Sequence, residues 1–158
     1  MAIRTLLAAA TLSIALAACG GSDHEGDVPG GADPDAVEVI REWADELRAG
    51  NVEAAADRFE IPSTVQNGTP PLRLTDRDEV VAFNESLPCG AELTEAERSG
   101  EYIIATFELT ERPGPGECGS GVGETAKAAF VIQHGRIAEW RRVVDEPPSE
   151  PPPTGPVV

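Results

Sequence analysis

The apolar and polar positions divide the chain into an apolar leader, a polar tether, an amphipathic middle and a proline-rich end. In the middle, Val37, Ile40, Trp43, Ala44 and Leu47 recur at the spacing of one helix face. Asp33-Pro34 supplies a cap and first turn for this helix, and Gly50 a terminator. Asn51 is placed to cap a second, short helix with Val52, Ala55 and Phe59 inward, which Ile61-Pro62 breaks. Residues 63–66 read as a short strand and Asn67-Gly68 as a turn. Thr75-Asp76-Arg77-Asp78-Glu79 then opens a third helix carrying Val80, Val81, Phe83 and Leu87, stopped by Pro88.

From residue 89 the period becomes two. Ala91, Leu93 and Glu95 alternate with polar residues up to a three-residue turn at 98–100. Residues 102–111 form the best strand, 113–123 a long Gly/Pro loop, and 126–133 and 137–144 two strands around a His134-Gly135 turn. Helix, helix, strand, helix and four antiparallel strands make an α+β architecture.

The ends add location. Residues 1–18 have Arg4 and then an uncharged apolar run too short to cross a ~30 Å hydrocarbon core, which fits a secretion signal. The run ends Leu16-Ala17-Ala18-Cys19, which resembles the lipobox of bacterial lipoproteins and implies cleavage before a diacylated Cys19. Two acyl chains hold a protein stably on a membrane without any basic patch. Residues 19–34 are rich in Gly and Asp and read as a tether that also carries His24; residues 35–145 are the folded domain. Residues 146–158 carry six prolines and read as a disordered tail; the other reading is a polyproline-II segment touching a partner or the cell wall.

Composition sharpens this picture. The chain has 158 residues, 28 acidic against 12 basic, for a net charge of −16. That excludes nucleic acid as a partner, because Lys and Arg must neutralise phosphates. Two histidines and no paired-cysteine motif argue against a metal site, and nothing calls for a cofactor. Secretion puts Cys89 and Cys118 in an oxidising compartment. The three-residue turn places Cys89 opposite Leu109, at the end of the hairpin whose loop holds Cys118, so a Cys89–Cys118 disulfide is expected. Asn67-Gly-Thr69 and Asn84-Glu-Ser86 match the glycosylation pattern, by accident in a bacterial lipoprotein.

The segment from Val37 through Trp43 and Ala49-Gly50-Asn51 to Glu53, with His134-Gly-Arg-Ile-Ala-Glu-Trp-Arg-Arg-Val-Val-Asp145, resembles the NTF2-like superfamily of ketosteroid isomerase and the SnoaL-type cyclases. The resemblance implies a cone in which three N-terminal helices cover a strongly bent antiparallel sheet, with a pocket at the wide end. Laid against ketosteroid isomerase, the oxyanion-holding Tyr falls on Trp43, the general-base Asp on Asn67 and the protonated Asp near Lys127. The cyclases' last-strand His and acid fall near Trp140 and Arg142. An indole is no acidic phenol and an amide takes no proton at neutral pH, so the known enzyme sites are missing.

The candidate pocket is therefore Trp43, Asn67, Tyr102, Lys127, Trp140 and Arg142, suited to an amphipathic or acidic small ligand; the bland alternative is a collapsed cone filled by aromatic core. Pairing across the 134–135 turn sets Ile103, Ala105, Phe107, Ala128, Phe130 and Ile137 on one face and Trp140 and Arg142 on the other. Hydrophobicity puts the first face against the helices, whereas the resemblance puts Trp140 and Arg142 there. Because bulges can switch faces in a bent sheet, the resemblance is followed, and the apolar face then lies outside and serves a homodimer or an envelope-protein partner. The expected function is a membrane-anchored, non-catalytic binding domain. The rivals are an isomerase, dehydratase or hydrolase using a set such as Tyr102 with Glu108, and a purely structural dimerisation module.

Overall fold

The computed structural model describes residues 31–144. The leader, Cys19, most of the tether including His24, and the tail lie outside the described residues. Helix α1 spans Pro34–Ala49 and starts as its sequence predicts, with the Asp33 carboxylate accepting from the Asp35 N–H at 3.0 Å. It buries Ile40, Trp43, Ala44 and Leu47. Gly50 ends it in the left-handed region at φ 81°, and a Cβ there would meet Pro113 at 2.9 Å, so glycine is required by conformation and by space. Helix α2 is Val52–Ala56. Asn51 does not cap it; its amide donates to Glu46 Oε2 at 2.8 Å, because that acceptor lies one turn back on α1.

Strand β1 runs Phe59–Gln66, longer than expected, so Phe59 is the first strand residue rather than the end of α2. A short β2, Leu72–Leu74, folds back on it. Helix α3, Arg77–Glu85, begins with Asp76 accepting from the Glu79 N–H at 3.0 Å while Glu79 accepts from the Thr75 N–H at 2.7 Å. Strands β3 (Gly90–Ser99), β4 (Tyr102–Thr110), β5 (Thr125–Gln133) and β6 (Arg136–Val143) follow.

The six strands order as β2-β1-β6-β5-β4-β3 in one sheet. The sheet is mixed rather than antiparallel, because β6 returns to lie parallel to β1. That pairing joins two strands separated by most of the domain, which local periodicity cannot reveal. The third helix also follows β1 and β2 instead of preceding the sheet. The outcome is an α+β cone.

The register shifts at three places, between Phe59 and Thr64 in β1 and in the two hairpins described next. The β3–β4 hairpin turns at Gly100-Glu101, pairing Ser99 with Tyr102, not through a three-residue loop. Thr94 is then the extra residue in β3, its hydroxyl donating to the Thr106 carbonyl at 3.0 Å. Leu109 consequently faces Ala91, not Cys89. In the β5–β6 hairpin Ile132 pairs with Ile137 but Val131 with Glu139, so Ala138 is extra. The slip puts Ile137 and Trp140 on the same, inner side, with Phe130 opposite Trp140 and Ala128 opposite Arg142. The expected apolar outer face is thereby corrected. Ile103, Ala105, Phe107, Ala128, Phe130 and Ile137 all lie in the core against the helices. The surface proposed for sheet-to-sheet dimerisation is not exposed.

The 111–124 connection is held at three points. Cys89 and Cys118 are joined, with sulfurs 2.06 Å apart. Glu111 accepts from the Cys118 and Gly119 N–H groups. Arg112 is buried, and its guanidinium donates to the carbonyls of Leu87 at 2.8 Å, Glu85 at 3.1 Å and Asn84 at 3.4 Å. It thus serves the free carbonyls at the end of α3 and complements the helix dipole there. Burial pushes its pKa below the ordinary guanidinium value, against the opposing pull of Glu85.

Two outcomes are expected. Cys89→Ser with Cys118→Ser, closing no loop of 29 residues in sequence separation, lowers the unfolding free energy by about 3–4 kcal/mol in urea titration on the chain-entropy argument. Arg112→Met leaves the α3 carbonyls without their donor and costs roughly 2–3 kcal/mol in the same titration, with no change in the far-ultraviolet spectrum at low urea.

Candidate functional site

One cavity of about 310 Å³ opens between the helices and the inner sheet face. Its walls follow from the elements above. The inner stripe of α1 supplies Trp43 and Leu47. The slip at Ala138 turns Trp140 and Arg142 inward from β6. The segment after α3 brings Leu87, Pro88 and Cys89, and the stapled loop brings Gly121, where a Cβ would lie 3.2 Å from Cys118 Sγ. Phe107, Leu109, Ala126 and Ala128 complete the sheet wall.

Of the residues picked from the sequence, Trp43, Asn67, Lys127, Trp140 and Arg142 border this cavity. Asn67 is exposed at the end of β1, and Lys127 belongs by register to the outer face. Tyr102 does not join them. It lies on the outer face, its hydroxyl 3.4 Å from Glu139 Oε1 and the Arg141 guanidinium 5.8 Å from its ring. Arg141 in turn bonds Glu139. The Tyr102–Glu108 pairing imagined for an enzyme is therefore replaced by Tyr102–Glu139, outside the cavity, because the β5–β6 slip aligns Glu139 with Val131.

The polar chemistry of the cavity is sparse. The Trp43 indole N–H donates to Asn84 Oδ1 at 2.8 Å, and the Asn84 amide donates to the Val80 carbonyl at 2.9 Å. The donor at the oxyanion position is therefore already spent. Asn67 accepts no proton at neutral pH. The lining contains no Asp, Glu or His, and its one cysteine is in the disulfide. Lys127 and Arg142 are its charged groups. Among the described residues no cluster of His, Cys, Asp or Glu is arranged to hold a metal ion.

Asn84 escaped the sequence reading, although a signal existed. It falls on the same α3 stripe as Val80, Phe83 and Leu87, where an amide must be paired inside the core. It is fully buried, so the Asn84-Glu-Ser86 match cannot be a surface glycosylation site in the folded chain. A second, more open hollow of about 470 Å³ lies between β2 and α3, with Val65, Asn67, Leu72, Leu74 and Phe83 among its walls. It depends on β2, which was not foreseen. Away from both, the Arg77 guanidinium hydrogen-bonds Asp57 at 2.9 Å and holds its carboxyl below the usual range. His134 sits in an exposed turn, 3.1 Å from Glu60.

No protein-family model matches the sequence, and no curated protein matches it. Solved structures do match in fold. An NTF2-like protein of unknown function from Cytophaga hutchinsonii aligns at a TM-score of 0.54 and 13% identity, over 70% of this chain and 89% of that one. A protein provisionally assigned as a ketosteroid isomerase from Kribbella flavida aligns at 0.52 and 18%, over 75% and 83%. A de novo designed protein with a curved β-sheet aligns at 0.55 and 17%, over 73% and 88%. A protein provisionally assigned as a polyketide cyclase from Sinorhizobium meliloti gives 0.51 and 17%, over 67% and 94%. The three helices and the mixed six-stranded sheet, set beside these structures, give this chain the NTF2-like fold.

Proposed function

We propose that this chain is a lipid-anchored extracytoplasmic domain that binds a small apolar or amphipathic molecule in its cone and carries out no reaction on it. The observation that carries the binding reading is the lining. Two tryptophans and a wall of aliphatic and aromatic side chains enclose about 310 Å³, at the small end of ordinary ligand sites. The same lining has no group able to abstract a proton at neutral pH, since lysine and arginine are its ionisable members. A shared fold does not supply a function, and a designed chain has this architecture too.

The anchoring reading rests on the sequence Leu16-Ala17-Ala18-Cys19 at the end of an apolar leader. With Cys19 acylated, residues 20–30, the part of the tether before the folded residues, let the domain stand up to ~40 Å from the membrane when extended. A ligand taken up in the cone, or an envelope protein bound on its surface, would then be held near the bilayer without a charge-based contact, which suits a chain of net −16.

Mass spectrometry of the membrane fraction should find an N-terminal Cys19 carrying acyl chains; an intact chain with residues 1–18 and an unmodified Cys19 contradicts the anchor. Both tryptophans border the cavity, so titration with octanol and octanoate should give a saturable change in tryptophan emission for at least one of them. Ala126→Phe, placing a ring on the inner wall opposite Phe107, should abolish that change. An unsaturable response to both probes, or undiminished binding by the Phe variant, overturns the binding reading.

A further inference from the structure

The hollow between β2 and α3 is an open groove with hydrocarbon walls, among them Val65, Leu72, Leu74 and Phe83. Glu79 also lines it, but one of its carboxylate oxygens is held by the Thr75 N–H and hydroxyl at 2.7 and 3.1 Å. An amide and a hydroxyl, Asn67 and Thr69, stand exposed on the rim. Leu72 is 58% exposed.

The described residues end beside this groove. Strand β6 lies parallel to β1, and their last pair is Gln66 with Arg141. Val143 still pairs with Lys127, so β6 stays extended to its end. Alternation from Trp140 and Arg142 puts Val144 on the helix side of the sheet, the side on which the groove opens. Val144 is 72% exposed, and it and Leu72 are the two most exposed large apolar side chains of the described residues. Leu72 is opposite Val65, and Val65 is opposite Trp140. Val144 is therefore two strands across and four residues along from Leu72, about 16 Å at ~4.8 Å per strand and ~3.3 Å per residue.

Beyond Val144 come residues 145–158, six of them proline. At ~3.1 Å per residue in polyproline-II geometry they would reach about 43 Å. That is enough to cross the gap and then follow α3 from Ser86 back to Glu79, a further ~10 Å. Proline has no N–H and cannot extend the β2 edge, so such a segment has to pack by its rings. The floor with Phe83 suits those rings, and the segment's carbonyls, which have no partner within a polyproline-II helix, can accept from Asn67 and Thr69. Joined to the domain ~16 Å away, the segment is present at about millimolar effective concentration. A contact with a Kd near ~1 mM, too weak for a dilute free partner, then keeps the groove occupied.

We propose that residues 147–153 fold back past Val144 and lie in the groove between β2 and α3, as an intramolecular cover for it. The proposal depends neither on acylation nor on ligand binding in the narrower cavity. The disulfide-bonded chain of residues 19–158, labelled with ¹³C and ¹⁵N, tests it. Nuclear Overhauser contacts from the proline rings of residues 147–153 to the Leu72 methyls and the Phe83 ring are expected. The Ser149 and Glu150 amide signals should differ from those of a synthetic 145–158 peptide and stay in place on dilution. Leu72→Asp, at an exposed position, should abolish the contacts and return both signals to those of the peptide, with the signals of α1 unmoved. Tail signals that coincide with the peptide's in the unaltered chain overturn the proposal and leave the groove to another occupant. Contacts that vanish on dilution, with faster sedimentation at high concentration, also overturn it and assign the groove to the tail of a second copy.

Discussion

A single unpaired residue in β6, Ala138, decides which side chains face the helices. A strand shows alternate faces with a period of two, so one extra residue reverses everything beyond it. Before Ala138 the inner position is Ile137; after it, the inner positions are Trp140 and Arg142. Without the slip, either the aliphatic run from Ile103 to Ile137 or the pair Trp140–Arg142 would be turned outward. With it, both face the helices. The core and the cavity are thus made by the same irregularity.

Trp43 collects what that irregularity delivers. Its ring meets Phe59, Phe107, Phe130 and Trp140 at centre distances between 5.5 and 6.5 Å, all edge to face. Such pairs contribute about 0.5–1.5 kcal/mol each beyond the burial of their area. The bond to Asn84 adds direction, since it ties α1 to α3 through a buried amide that is itself fastened to Val80. Helices and sheet are therefore locked together around Trp43. The loop that the disulfide and Arg112 hold in place is fastened to the end of the same helix α3. Trp43 and Cys89, one from each fastening, both border the cavity.

Much of the fold was legible because local chemistry specifies it. Asp33, Gly50 and Asp76 mark helix ends through groups that act within one turn. The hairpin turns and the cysteine pair could be placed to within a residue or two. The errors share a cause. The bulges at Thr94 and Ala138 carry no sequence mark, since an extra threonine or alanine fits a strand as well as a paired one. The parallel β1–β6 pairing joins distant segments and answers to the whole fold. Trp43, Asn67, Lys127, Trp140 and Arg142, which the resemblance rather than face counting picks out, border the cavity. Tyr102 was placed by counting alone and ended on the outside.

The account stands on the register of one hairpin, and nuclear Overhauser contacts across β5 and β6 test it most directly. In the slipped ladder Trp140 is opposite Phe130, and Arg142 is opposite Ala128. Backbone contacts between Trp140 and Phe130, with strong contacts from the Trp140 indole to the Phe83 ring, are the predicted result. Contacts that pair Trp140 with Ala129 and Phe130 with Glu139 would mean an unslipped ladder, with Trp140 and Arg142 turned away from the helices and the cavity without its β6 wall.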